Sequence, residues 1–334
     1  MRYSKSIIFI IGILISTCMN SSKVFSETSD FSITPMLPDN QNVEVQNYFD
    51  LKVKPNQKQT LELVVSNTSN ELQEYKIAVN TANTNNNGIV DYSMSNFKKD
   101  KSMKISLKDC FKLEKEIIEI PPNKEKIISM EMTIPPADFD GILLGGVVVE
   151  PLIKTSDAGI TNHFTRTIAI KLSENEKEIE TKLSIGDSVI SQENLRNVLK
   201  MKFGNIESKL LSIITADITI SKKNDSKFLL KDQKQQLSFA PNSNFYLTTN
   251  WTEMFSPGEY AYKVIFKDDA GHQWVLSKEF HIKKNSAKKL NQTSIDKKKF
   301  NLQDYLLNKW YLFFLFIMLY LFCYYIYKKK VYRK

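Results

Sequence analysis

Residues 48–88 read YFDLKVKPNQKQTLELVVSNTSNELQEYKIAVNTANTNNNG. Phe49, Leu51 and Val53 alternate with polar neighbours, and so do Leu61, Leu63 and Val65, then Tyr75, Ile77 and Val79. Such alternation places successive side chains on opposite faces, the pattern of a strand with one buried face. Between the runs stand Asn67-Thr68-Ser69-Asn70 and Asn85-Asn86-Asn87-Gly88. These residue types turn the chain, and Asn-Gly supplies the positive φ angles of a type I′ hairpin. The pattern returns at Ile128, Met130, Met132 and Ile134, and Pro121-Pro122 and Pro135-Pro136 stand at strand ends, where a missing N–H costs least. Many short strands without a long helix predict an antiparallel β-sandwich over residues 30–152.

Farther along, a polar link at 154–162 leads to a second β-rich stretch, read as a sandwich over 160–284. It holds the alternating Ile214, Ala216, Ile218 and Ile220. A closing hairpin sets Tyr260, Tyr262, Val264 and Phe266 against Trp274, Leu276, Phe280 and Ile282 across Asp268-Asp269-Ala270-Gly271. Leu195, Val198 and Leu199 have helical spacing while Leu199, Met201 and Phe203 alternate, so that segment reads both ways. The expected fold is all-β: two immunoglobulin-like sandwiches in tandem, then a single C-terminal transmembrane helix. Residues 285–309 lose the pattern, turn rich in Lys, Asn and Ser, and read as a flexible stalk with a reach of about 30 Å.

The ends carry the addressing. Residues 1–26 combine Arg2 and Lys5, an apolar run from Ile7 to Ile15 and Val24-Phe25-Ser26 as a cleavage pattern; that is a cleaved export signal, too short to span a bilayer. A rival reading makes Ile15-Ser16-Thr17-Cys18 a lipidation box, to which Thr17 directly before the cysteine is a poor fit. Residues 310–327 (WYLFFLFIMLYLFCYYIY) are uncharged and flanked by aromatics, and a helix of that length crosses a bilayer core. The basic tail 328–334 fixes its orientation, tail inside and body outside, and no Leu-Pro-x-Thr-Gly sorting signal precedes it.

Charge and cysteine usage agree with that topology. The net charge of +9 resides in the signal, the stalk and the tail, leaving residues 27–282 net acidic. A nucleic-acid binder concentrates positive charge on a folded face, so nucleic acid is excluded as a partner. Cys18 and Cys323 lie in the signal and the span, which leaves Cys110 alone in the body and no internal disulfide. Exported proteins of Gram-positive bacteria commonly do without them.

Catalytic and cofactor signatures are missing. His163, His272 and His281 are scattered, no Cys or His falls at metal spacing, and no phosphate-cradling glycine loop or nucleophile elbow occurs. Neither a cofactor nor a metal is expected. A Cys110/His163 nucleophile pair is weaker than a small core cysteine. Asp138-Phe139-Asp140-Gly141 opens like a calcium loop, but Val149 stands where the closing Glu belongs, so a turn entering an apolar strand is the better reading. Within that strand Gly145-Gly146 predicts a bulge or a close backbone approach. Asn83, Asn85, Asn86 and Asn87 with Tyr92 offer amide and aromatic surface for a sugar or peptide, beside the plainer reading of solvated turns.

Phe31-Ser32-Ile33-Thr34-Pro35, Pro38-Asp39-Asn40-Gln41, the run Tyr48 to Gln57, Ala82 to Gly88, and above all Phe139-Asp140-Gly141-Ile142-Leu143-Leu144-Gly145-Gly146 resemble the WxL-interacting proteins of Gram-positive bacteria. Asn56 departs from the family's usual Gly, though Asn is the best non-Gly residue at positive φ. The resemblance implies a peptidoglycan-binding first domain, a second domain labelled host-binding, and association with WxL-domain surface proteins. Asp140, Gly141, Gly145 and Gly146 enter as a structural family motif. The expectation is a non-enzymatic scaffold or adhesion protein of the cell membrane, facing the wall. The alternative is an export-side chaperone acting by strand addition.

Overall fold

The computed structural model describes residues 30–152, 164–223 and 228–295, together with Ile317, Met318 and Leu321, which are helical. The export signal 1–26, the span 310–327 and the tail 328–334 therefore lie outside the described residues, the three helical positions excepted. Among the described residues no helix is long and apolar enough to cross a membrane.

The first body holds β1 (Phe31–Met36), β2 (Phe49–Lys52), β3 (Lys58–Asn67), β4 (Gln73–Thr81), the short pair β5 (Asn83–Thr84) and β6 (Val90–Asp91), β7 (Phe111–Leu113), β8 (Ile117–Ile120), β9 (Glu125–Thr133), β10 (Ile142–Pro151) and β11 (Arg166–Ser173). One sheet runs β1-β3-β9-β7 and the facing one β2-β11-β10-β4-β8. All pairings are antiparallel except β11 with β2. The alternation decides what goes inside: Leu61, Leu63 and Val65 from one sheet meet Tyr75, Ile77, Val147 and Ile170 from the other in a single apolar core. The second body holds β12 (Leu183–Glu193), β13 (Arg196–Asn205), β14 (Leu211–Lys222), β15 (Phe228–Phe239), β16 (Ser243–Asn250), β17 (Gly258–Lys267) and β18 (Gln273–Ile282). Its sheets run β12-β13-β16 and β15-β14-β17-β18, and Phe203, Phe239, Phe245, Tyr262 and Phe266 fill the space between them.

Two boundaries differ from the sequence reading, and one segment that read both ways is resolved. Arg166–Ser173, placed in the second domain by the 160–284 reading, is a strand of the first: it lies between β10 and β2. Its Ile168, Ile170 and Leu172 are buried in the first core. A strand's own alternation does not say which sheet receives it. From Arg196 onward the segment that read both ways is strand, with Leu195 in the turn before it; its period-two component prevails, both its neighbours in the sheet being strands. The stalk begins later than 285, because α1 (Lys284–Thr293) folds onto the second sandwich with Ala287 in its core.

Turn chemistry is mostly as the residues predict. Asn56 takes φ 59, and the Gln57 N–H donates to Lys54 O at 3.1 Å. The Asn85–Gly88 turn is a hairpin but not type I′. Neither central residue, Asn86 nor Asn87, has positive φ; Gly88, which closes the turn, has φ 73, and its N–H donates to Asn85 O at 2.9 Å. The Asn85 side chain explains the difference: its Oδ1 accepts from the Asn87 and Ile89 amides at 2.9 and 3.3 Å, an Asx turn.

Candidate functional site

Strand β10 reads ILLGGVVVEP without alternation, as strands covered on both faces do. Val147 and Val149 face the first core; Leu144 on the other face packs with Ala82 and Ala240, with Ile142, Val90, Tyr92 and Leu210 around them. Ala240 and Leu210 come from the second body. The outer face of β10 is thus half of a seam between the two sandwiches.

The hairpin proposed from sequence as a ligand surface supplies the rest. Asn83 is 5% exposed and donates to the Met94 sulfur at 3.7 Å. Gly88 lies over the mouth of the second core, where a Cβ would stand 3.0 Å from Leu237 Cδ2 and 3.2 Å from Leu247 Cδ1. Main-chain bonds fasten it: Ser238 N–H donates to Gly88 O at 2.8 Å and Thr248 N–H to Asn86 O at 3.4 Å. The Val90 N–H donates to Ser238 Oγ at 3.1 Å. Beneath the tip, Thr84 Oγ1 accepts from Ala240 N–H at 2.9 Å and bonds to Ser243 Oγ at 2.7 Å. Ser243 Oγ in turn donates to Ala240 O at 2.8 Å. The three groups close a buried ring in which each polar atom has a partner. Of the five residues read as a ligand surface, only Asn86 and Asn87 are exposed. The hairpin is a clasp, not an open binding face.

The motif 139–146 makes the second fastening. Gly141 has φ 78, and a Cβ there would lie 2.2 Å from Ser208 O. That closeness lets Ile142 N–H donate to Ser208 O at 2.8 Å while Ser208 Oγ donates to Asp140 O at 2.5 Å. The Asp140 carboxylate is taken up by Lys177 and by the Asn175 amide at 3.2 Å, both in the connection between the bodies. The Lys177 bond chiefly holds the Asp140 carboxyl below its ordinary range. Gly145 and Gly146 sit in unbroken register with both neighbouring strands. The expected bulge is absent, and the expected close approach is present: a Cβ on Gly145 would come within 2.2 Å of Asn80 O, one on Gly146 within 3.2 Å of Tyr92 Cδ1. The Tyr92 ring rests on the sheet where Gly146 leaves room, and burial pushes its phenol pKa up.

Two clefts flank this seam. One of about 490 Å³ is lined by Tyr48, Lys171, Asn175, Lys177 and Lys209 among others; the other, about 640 Å³, by Lys104, Asp138, Phe139, Glu207 and Asn242 among others. Amides, ammonium groups and an aromatic ring suit recognition of a polar polymer by hydrogen bonding and stacking. Cys110 offers no nucleophile there: it is 2% exposed, donates to Ser106 O, and burial pushes its thiol up to about 11. His163 lies outside the described residues. In the second body Tyr260 and Tyr262 are core residues, whereas Trp274 is half-buried beside His272. Sequence reasoning missed Thr84, Ser208, Ser238 and Ser243, because a hydroxyl's partner across the fold leaves no local signal.

Comparison with known proteins gives two family matches. Residues 31–151 match the WxL Interacting Protein peptidoglycan-binding domain, and residues 155–292 match the WxL Interacting Protein host-binding domain. No curated protein resembles the chain closely enough to match it. Similar solved structures include the chaperone–tip adhesin complex of CFA/I fimbriae biogenesis (15% identity, 74% of this chain and 98% of that one, TM-score 0.30). The Pseudomonas aeruginosa CupB2 chaperone (12%, 66% and 91%, 0.25) and the E. coli chaperone DraB (12%, 69% and 100%, 0.26) are also similar. Likeness of this extent identifies no shared function.

Proposed function

The chain belongs to the WxL Interacting Protein family, and from that membership we propose that it is a non-enzymatic surface scaffold, holding peptidoglycan with the first sandwich and a WxL-domain protein with the second. Both matching families are binding domains, which supports a surface binding role. The observation that carries the reading is that these two domain families cover 31–151 and 155–292 while a buried hydrogen-bonded seam joins the bodies. Two binding modules held in fixed relation transmit a wall attachment to a partner without a flexible joint.

Both sandwiches are read as immunoglobulin-like. The cleft with Tyr48 and Lys209 is our candidate wall contact, the Lys209 ammonium offered to a stem-peptide carboxylate and the Tyr48 ring to a sugar face, while Lys171 and Lys177 are already paired with Asp50 and Asp140. Residues 1–26 export the chain, 310–327 anchor it and 328–334 remain in the cytoplasm of a Gram-positive cell. In that orientation the second domain sits next to the membrane, and host ligands reach it only after shedding or wall thinning.

The test uses the full chain solubilised from wall-containing membranes. It should co-sediment with purified peptidoglycan and co-purify stably with a mature WxL-domain protein, and Tyr48→Ala should weaken only the first. Failure to bind either overturns the scaffold; transient capture of the WxL-domain protein during its export alone would make the chain a chaperone.

A further inference from the structure

The end of the second sandwich opposite the seam is built unlike the rest of the surface. There α1 lies across the base, held by Asn291, whose amide donates to Phe255 O at 2.8 Å and whose Oδ1 accepts from Phe255 N–H at 2.9 Å. Gln192 Nε2 donates to Leu290 O at 2.7 Å. Burying Ala287 turns Lys284, Lys288 and Lys289 outward, with Lys283 just before them, and the helix contains no acid. The nearby exposed acids are Glu253 on the adjoining loop and Glu193, which Lys200 pairs with at 2.8 Å.

An apolar tip stands beside these lysines. The β12–β13 turn has φ 49 at Asn194 and φ 62 at Leu195. Asn suits that conformation, but a leucine there is disfavoured, and Gly is the usual choice. Leu195 is nevertheless 54% exposed, as is Ile295, whose N–H donates to Leu195 O at 3.0 Å. A strained, solvent-facing leucine next to a second exposed apolar residue and a row of lysines has no part in this domain's packing.

The chain then continues from Ile295 for 14 residues before the apolar run 310–327 begins, a contour length of at most about 50 Å. We propose that this base is a membrane-docking face: the α1 lysines bind headgroup phosphates of an anionic bilayer while Leu195 and Ile295 enter the headgroup layer. The inference rests on the reading of 310–327 as a span. Docking would stand the two sandwiches upright, with the first domain directed into the wall.

The experiment reconstitutes the full chain in nanodiscs of phosphatidylglycerol or of phosphatidylcholine and follows amide hydrogen exchange. Exchange at 194–196 and 284–295 should slow at least about fivefold in the anionic discs, the factor one lysine's attraction to such a surface supplies. High salt should erase the slowing, and so should the combined substitutions Lys284→Glu, Lys288→Glu and Lys289→Glu. Leu195→Asn, which suits the turn and keeps the fold, should reduce it. Equal exchange in both lipids with the chain incorporated overturns docking and leaves the span standing. A chain that does not incorporate overturns the span, and docking with it. The same slowing on adding inorganic polyphosphate to phosphatidylcholine discs assigns the patch to a soluble polyanion and also overturns docking.

Discussion

The hydroxyls of Thr84 and Ser243 lie 2.7 Å apart although 159 positions separate them in the chain. Both are buried, and the Ala240 N–H that Thr84 accepts has no water to fall back on. Thr84→Val keeps the shape and removes the acceptor. A buried donor left unmade costs about 1–3 kcal/mol, so the variant should unfold at lower urea, with the second domain's transition separating from the first. A single coincident transition at the wild-type midpoint would refute the clasp.

Strand β11 binds the fate of the first sandwich to residues beyond its apparent end. A fragment 30–152 lacks Ile168, Ile170 and Leu172, which are 4%, 0% and 0% exposed, and each is worth about 1.5–3 kcal/mol of burial. That loss is comparable with a whole domain's stability of about 5–15 kcal/mol. The fragment should therefore lack a cooperative melt in circular dichroism, and extension to residue 176 should restore it.

At Gly141, φ 78 and the 2.2 Å approach to Ser208 O leave no place for a side chain. Gly141→Ala should cost about 1–2 kcal/mol in backbone strain alone and push the Ser208 loop away. Small-angle scattering should then report a longer particle while the far-ultraviolet spectrum stays β-type. An unchanged scattering profile would show that the motif does not fasten the bodies.

Acid should act on the same seam. The Lys177 bond lowers the folded pKa of Asp140, with Asn175 assisting. Burial raises the Asp100 carboxyl, but bonds from Ser102 and Asn244 and the Lys202 charge outweigh it, so it too is lowered. A depressed folded pKa gives stability that is present above the unfolded value and lost as pH falls through the folded one. The interdomain contact should thus hold at pH 7 and weaken below about pH 4, read as separation of fluorophores placed on the two bodies. Lys177→Ala should flatten that dependence; an identical acid profile would remove Asp140 from the account.

The strands themselves were legible in the residues. Leu61, Leu63 and Val65 or Ile214, Ala216, Ile218 and Ile220 alternate, and each set is buried in its own core, because period two is a property of neighbouring residues and needs no knowledge of the partner strand. Residue type also marked the turn at Asn85–Gly88 and an apolar strand at β10, while the positive φ at Asn56 was what the family resemblance implied. Tertiary structure alone decided what covers β10. Assigning Arg166–Ser173 to the first sheet, or turning the Asn83–Tyr92 hairpin from a binding face into a clasp, depends on pairings such as Ile170 with Phe49 and Thr84 with Ser243. Burial energy and hydrogen-bond satisfaction select those pairs from the whole folded chain, and a serine whose partner lies more than a hundred residues away looks, in the sequence, like any other serine.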